Sequence, residues 1–169
     1  MNSFRKAEVG FITFVSMYSR EQASQLRQEF WTKLGQYLSP LLSSEQEKVN
    51  WLNYKTGLKY VYFKMNADKN KAWIAIEITH PDAGVQELFF EQFEAFKDLL
   101  QSTLKEDWEW DKHTTDEYGK TVSRIVKNLE GVNVFNKEDW PKLISFFKPR
   151  IIALDEFWND VKDGFEGLK

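Results

Sequence analysis

The sequence predicts an α+β domain, in which an antiparallel sheet of two β-hairpins carries long helices packed on one face. Residues 72–79 alternate in polarity with the two-residue period of a half-buried strand. Residues 82–105 instead place apolar side chains three and four positions apart, as one face of a helix requires. The same strand, strand, helix order then returns from Trp108 onward, which gives the order α-ββα-ββα and indicates a duplication of topology. Segregating helices to one face buries the apolar sides of both layers.

The first helix is predicted to begin at Ser19, because Ser19 and Gln22 form a capping-box pattern. Its apolar stripe runs to Leu41, and Pro40 should kink or end it. The preceding residues 8–17 are rich in Val, Ile, Phe and Thr, which favours a strand.

The first hairpin is predicted from two strand-like runs, residues 58–65 and 72–79, around the polar residues 67–71. Ile74, Ile76 and Ile78 should share one face of the second strand. Trp73, Ala75, Glu77 and Thr79 should share the other. Pro81 should end this strand, and Asp82 is the predicted N-cap of a long helix that reaches about Lys105.

The second unit begins where Trp108 and Trp110 alternate with acidic residues. A polar loop containing Gly119 leads to a strand over residues 121–129, and Asn136 is the predicted cap of the final helix. The helical spacing of that last stretch continues across Pro149, which predicts a kink or a division there.

Length and composition restrict the class of protein. A chain of 169 residues with 14 Phe, 7 Trp and 6 Tyr should form a single domain over residues 1–169 with a large core. No apolar run approaches the roughly 20 residues that span a bilayer, so no membrane association is expected. The absence of cysteine excludes disulfides and thiol catalysis and favours a cytoplasmic location. No glycine-rich phosphate loop is present, and no cofactor is expected.

Residues 48–71 concentrate positive charge, with six lysines against one aspartate, between aromatic side chains. Such lysines are typical of an exposed sheet edge that resists aggregation. The second interpretation is that they contact the phosphates of DNA or RNA while tyrosines stack on bases. The candidate nucleic-acid-binding residues are Lys55, Lys59, Tyr60, Tyr62, Lys64 and Lys71.

Residues 72–119 are acidic, with twelve carboxylates against three lysines. Most of these should form a solvated face, although the separation of charge also suits self-association as a homodimer. Asp107, Glu109, Asp111 and His113 should line one side of a strand, where the three carboxylates are able to offer oxygen ligands to a divalent cation. No ligand from a second element is evident, so no metal site is assigned.

The sequence also allows a test for a metal-dependent nuclease. Such enzymes commonly place a lysine two residues after a glutamate on a strand, but Glu77 is followed by Ile78 and Thr79, which leaves Lys64 on the partner strand as the candidate substitute. Glu77 is therefore expected at an exposed edge or in a buried polar pair with Arg124. His80 and His113 lie in no recognisable catalytic context and are expected to be structural. No catalytic residue is assigned.

Scattered aromatic and strand residues carry a resemblance to a known family. They are Phe30-Trp31, Trp51, the strand Ile74-Ala75-Ile76-Glu77-Ile78, Phe93 with Lys97, Trp110, Ser123-Arg124-Ile125 and Trp140. Over about residues 20–168 the chain resembles the bacterial and archaeal family called domain of unknown function 4268. Members often carry the domain C-terminal to a nuclease-like domain, so the resemblance implies an accessory or recognition role in DNA metabolism or defence. These 169 residues show no nuclease part, so no such activity is carried over.

The leading hypothesis is a noncatalytic binding module whose partner is a macromolecule, with DNA or RNA as the candidate. One alternative is a divalent-metal nuclease or phosphodiesterase, which would bring Glu77 together with Asp107, Glu109 or Asp111 in a concave pocket. The other alternative is a self-assembly or protein-interaction domain, for which exposed aromatic surface would be expected.

Overall fold

A computed structural model describes residues 2–168, with side chains described from residue 20 onward. The order of elements confirms the α+β class and the predicted succession of helices and hairpins. The elements are α1 (Asn2–Leu38), β1 (Val61–Ala67), β2 (Lys71–Ile78), α2 (Ala83–Ala95), α3 (Lys97–Leu104), β3 (Glu109–Thr115), β4 (Thr121–Glu130) and α4 (Trp140–Val161). Short 3-10 turns occupy Trp51–Asn53, Lys137–Asp139 and Lys162–Leu168.

The four strands form one antiparallel sheet in the order β1-β2-β4-β3. Each hairpin contributes its second strand to the centre, so the order is symmetric about the β2–β4 pair. The register places Glu77 of β2 opposite Tyr62 of β1 and opposite Arg124 of β4. Side chains directly opposite one another share a face of the sheet, so these three residues lie in one row.

One face of the sheet is buried beneath the helices. Ile74, Ile76 and Ile78 alternate along β2 and are fully buried, as the two-residue period predicted. Helix α4 packs against β1 and β2, and α2 packs against β2, β3 and β4. The intervening residues point to the opposite side, which we call the outer face and define by Tyr62, Lys64, Trp73, Glu77 and Arg124.

Helix α1 corrects the expectation for the N-terminal segment. Its backbone is helical from Asn2, so the strand predicted over residues 8–17 is wrong and Ser19 lies inside the helix. Strand propensity reflects fit to a half-buried sheet, and this segment lacked the alternation that such a position requires. The helix ends at Leu38, in agreement with Pro40, because the residue before a proline disfavours helical backbone.

The later helices differ from the sequence expectation in two places. The helix predicted over residues 82–105 is divided at Phe96, whose backbone leaves the helical region. Helix α4, in contrast, continues through Pro149 without division. Pro149 has no N–H to donate to the carbonyl of Ser145, and this one missing bond does not divide the helix.

The predicted helix caps are found at both positions, with one difference. Asp82 Oδ1 accepts from the amide of Val85 at 2.9 Å, which confirms the N-cap of α2. Asn136 accepts from the amide of Glu138 and so caps the 3-10 turn that precedes α4, whereas α4 itself begins at Trp140. In the described part of the chain, no helix has the length and apolar character needed to cross a membrane.

Two polar clusters attach the loops to α4. Asp155 is 1% exposed and accepts from the Tyr54 hydroxyl at 2.6 Å and from the Ser44 amide at 2.8 Å. Burial, and then the bond to Asp155, raises the pKa of Tyr54 far above its usual value. These contacts hold the segment between α1 and β1 against the helix.

The second cluster joins the α3–β3 connection to α4 through Glu106. Arg150 donates to its two oxygens at 2.7 and 2.9 Å, and Trp108 Nε1 donates at 3.0 Å. Desolvation by burial would raise the pKa of Glu106, but the bonds from Arg150 and Trp108, with the charges of Arg150 and Lys127, hold that pKa below its usual value. The carboxylate therefore stabilises the fold in its ionised form.

Candidate functional site

One end of the outer face carries a groove of about 780 Å³, which we call the tyrosine groove. Its walls come from the start of β1, the end of β2 and the β3–β4 turn, which the sheet order brings to the same end of the sheet. It is lined by Tyr60, Tyr62, Lys64, Thr79, Pro81, Asp116, Tyr118, Lys120 and Thr121. Three phenol rings and two ammonium groups therefore converge from separate elements.

The β3–β4 turn presents Tyr118 in a fixed backbone conformation. Asp116 Oδ1 accepts from the amides of Tyr118 and Lys120, each at 2.9 Å, and Gly119 adopts a positive φ of 78°. The bond from the Lys120 amide, above all, holds the pKa of Asp116 below its usual value; desolvation opposes it, and the bond from the Tyr118 amide adds to it. The Tyr118 side chain is 79% exposed, so its ring is free to stack against a ligand.

Tyr60 forms the wall between the tyrosine groove and a second groove. Its φ of 71° lies in the left-handed region, where a bulky side chain is rarely found. The ring meets His80 edge-on at 4.7 Å between centroids, and Lys59 Nζ lies 4.9 Å from the Tyr60 centroid. The second groove has a volume of about 530 Å³ and is lined by Gly57, Leu58, Lys59, Tyr60, His80, Val85, Phe89 and Leu168.

Glu77 lies on the outer face near the end of the central strand β2, beside the tyrosine groove, and is 1% exposed. Arg124 Nη2 donates to one of its oxygens at 3.0 Å, so the two residues proposed as a buried polar pair are in contact. Lys64 Nζ, on the partner strand β1, donates to the other oxygen at 2.9 Å, so the lysine considered as a substitute in the nuclease pattern does reach Glu77. Arg124 also lies over the ring of Trp73, 5.0 Å from its centroid.

The acidic residues of β3 do not gather around Glu77. Asp111 is opposite Arg124, which is opposite Glu77, so two inter-strand spacings of about 4.8 Å separate the acids and a guanidinium lies between them. Glu109 lies one row further along, opposite Val126. Within residues 20–168, no three His, Asp or Glu side chains are grouped so as to hold a metal ion.

His113 does not share a side with Glu109 and Asp111, so that part of the expectation is wrong. The register of β3 shifts between Asp111 and Thr114, and His113 has a φ of 55°. Its Nδ1 lies 3.0 Å from Oε1 of Gln86 on α2, which places the ring toward the helices. Such a bulge has no clear signal in the sequence.

The six candidate binding residues fall into separate groups. Lys59, Tyr60, Tyr62 and Lys64 lie around the two grooves. Lys71 begins β2 opposite Glu130, eight residues before Thr79, which corresponds to about 26 Å along an extended strand. Lys55 is exposed and lines neither groove.

Tyr118 and Lys120 were not among the candidates. They follow Tyr62 in the sequence by more than fifty residues, and only the sheet order shows that their turn reaches the start of β1. The detectable signal was the glycine-containing turn between two strand patterns, but its position required the pairing of β2 with β4.

Comparison with known proteins gives one match. The family described as "Domain of unknown function (DUF4268)" has a model that matches residues 26–162. No curated protein and no solved structure matches the chain.

Proposed function

Because the chain belongs to the family called domain of unknown function 4268, whose description states no ligand, we propose from the tyrosine groove that it is a noncatalytic nucleic-acid-binding module. The observation that carries this proposal is the convergence of three tyrosines with Lys64 and Lys120 on one exposed surface. Aromatic faces that stack on bases, set beside cations that neutralise phosphates, are the two components that nucleic-acid surfaces combine.

The tyrosines are placed for contact with a ligand. Tyr62 is 43% exposed and Tyr118 is 79% exposed, whereas most of the aromatic side chains that the structure describes are buried in the core. Single exposed aromatics are ordinary, but two exposed rings and the conformationally constrained Tyr60 border one groove. Their grouping therefore supports a stacking surface.

The charge around the groove supports binding of modest electrostatic strength. Lys59 and Lys120 have no ion-pair partner among the residues with described side chains, whereas Lys64 shares its charge with Glu77. Neutralising three phosphates of a single strand gives a slope of about −2 for the logarithm of the association constant against the logarithm of salt concentration. The affinity should therefore fall measurably, but not steeply, as the salt concentration rises.

The geometry favours binding over catalysis. Each carboxylate oxygen of Glu77 accepts from a cationic side chain, so neither is oriented to bind a metal ion or to activate water. Asp111, the acid in the same row, lies beyond Arg124. The nuclease alternative lacks the arrangement it requires, and self-assembly stays a prediction of the charge pattern.

The proposal is tested by titrating a fluorescein-labelled single-stranded oligonucleotide at salt concentrations from about 50 to 200 mM. The wild-type protein should bind, and a variant carrying Lys59→Gln with Lys120→Gln should bind more weakly, with its salt slope reduced from about −2 to about −0.7.

The matched control replaces Lys69 and Lys71, at the other end of the first hairpin, by glutamine. It removes the same charge and should leave the salt slope unchanged. Absence of binding at the lowest salt, or an equal loss in both double variants, would contradict the proposed interface.

A further inference from the structure

We infer that the tyrosine groove recognises unpaired nucleotides, so that the ligand is a single strand held through its bases as well as its phosphates. This inference rests on the proposed function and specifies its ligand. Three features support it: the faces that the tyrosines present, the small number of cations, and the fixed backbone at Tyr60 and Tyr118.

The tyrosine rings are suited to bases that have left a helical stack. Inside a duplex both faces of each base are covered by its neighbours, so a protein ring can stack only after the base is exposed. Tyr62 and Tyr118 project from a sheet face and a tight turn, and the groove between their elements has a volume of about 780 Å³. That volume is within the range of small-ligand sites, about 300–1,000 Å³, and suits individual bases.

The charge is too sparse for a duplex site. Duplex-binding proteins commonly neutralise about 6–10 phosphates. Here Lys64 and Lys120 line the groove and Lys59 lies at its border, while the turn between β3 and β4 also carries Asp116 and Glu117. Contacts to bases must therefore supply much of the affinity, and a single strand can provide them.

The backbone on both sides of the groove is fixed before a ligand arrives. The Asp116 carboxylate closes the turn that presents Tyr118. Across the groove, the amide of Thr79 donates to the carbonyl of Tyr60 at 2.9 Å and holds it in its left-handed conformation. Because the backbone that carries these residues is already ordered, binding costs less conformational entropy, which favours stacking.

The second groove offers a continuation for the next base. It shares Tyr60 with the tyrosine groove, and Leu58, Val85 and Phe89 give it an apolar lining. Lys59 lies at the same boundary, where the phosphate between two successive bases would pass. A strand following this path would place bases on both sides of Tyr60.

The test compares three ligands of equal length at one salt concentration: an oligothymidylate of about 12 nucleotides, an abasic strand, and a duplex. The oligothymidylate should bind at least about tenfold more tightly than either of the others. Tyr118→Ala should weaken binding of the oligothymidylate by about 5- to 150-fold and leave the abasic strand nearly unaffected. Tyr118→Phe, which keeps the aromatic face, should retain most of the affinity.

Tyr37→Ala is the matched control, because Tyr37 is 58% exposed on α1 and does not line the groove. It should leave all three affinities unchanged, and thermal unfolding of each variant checks that the fold is retained. Equal binding of the three ligands, tighter binding of the duplex, or indifference of the oligothymidylate to Tyr118→Ala would overturn the inference while nucleic-acid binding itself stands. If none of the three binds, the proposed function fails as well.

Discussion

Replacing Glu77 by glutamine should destabilise the protein more than any other neutralisation of an acid on the outer face. Glutamine keeps the volume of the side chain but removes the charge that Lys64 and Arg124 share. Removing one partner of a buried ion pair leaves the other as an uncompensated buried charge, which lowers the free energy of unfolding strongly.

The size of the expected loss in unfolding free energy follows from how exposed Lys64 and Arg124 are. The Lys64 side chain is 44% exposed, so its ammonium group can be hydrated by water once the charge of Glu77 is removed. Loss of the Lys64–Glu77 ion pair should therefore cost less than about 1 kcal/mol. The Arg124 side chain is only 20% exposed, and its Nε is buried without a hydrogen-bond partner in the described structure. A hydrogen bond to a charged group contributes about 1.5–3 kcal/mol, so the Arg124 part should cost about 2 kcal/mol. The sum is about 3 kcal/mol.

Urea unfolding at neutral pH measures this difference, since the midpoint should fall while the slope of the free energy of unfolding against urea stays constant. Glu109→Gln is the control, because Glu109 is exposed on β3 and should change the free energy by less than about 0.5 kcal/mol. Combining Glu77→Gln with Arg124→Met should cost less than the sum of the single changes, because no charge is then left unpaired. If Glu77→Gln costs no more than Glu109→Gln, the ion pairs do not stabilise the sheet.

Three further substitutions test other contacts. Gly164→Ala should lower the free energy of unfolding by about 1–3 kcal/mol, because its Cβ would lie 2.9 Å from Cζ of Phe96; an unchanged melting temperature would contradict that packing. Arg150→Met should destabilise at pH 7 and much less at pH 3 in denaturant titrations. Glu106 has a lowered pKa in the folded state, so its stabilisation is present above its unfolded pKa and is lost as the pH falls through the folded one; an equal effect at both pH values would refute this. Asp82→Ala should lower the free energy of unfolding by about 1 kcal/mol in the same titrations because it removes the cap of α2. Asp82→Asn should keep most of the wild-type stability, since asparagine also caps helices.

The hairpins and the helix caps were predictable because their signals are local. The alternation along residues 72–79 fixes which side of β2 is buried, and the position of Asp82 before an apolar helical pattern fixes where α2 begins. Residues 8–17 are helical although their composition favours a strand, because such a composition without alternation does not specify a strand.

The candidate site was only half predictable because it is assembled by topology. Tyr60, Tyr62 and Lys64 are neighbours in the sequence, but the residues that face them across the groove come from the β3–β4 turn. Only the pairing of β2 with β4 brings Tyr118 and Lys120 there, and no local pattern encodes that pairing. The distance of Lys71 from the groove follows from the same register.

Backbone amide chemical shifts measured by NMR during addition of oligothymidylate locate the interface most directly. If the strand binds in the tyrosine groove, the largest changes should fall on residues 60–64 and 116–121, with little change at Lys71 or along α4. Changes concentrated on α4 or around Lys71, with residues 60–64 and 116–121 unaffected, would contradict binding there.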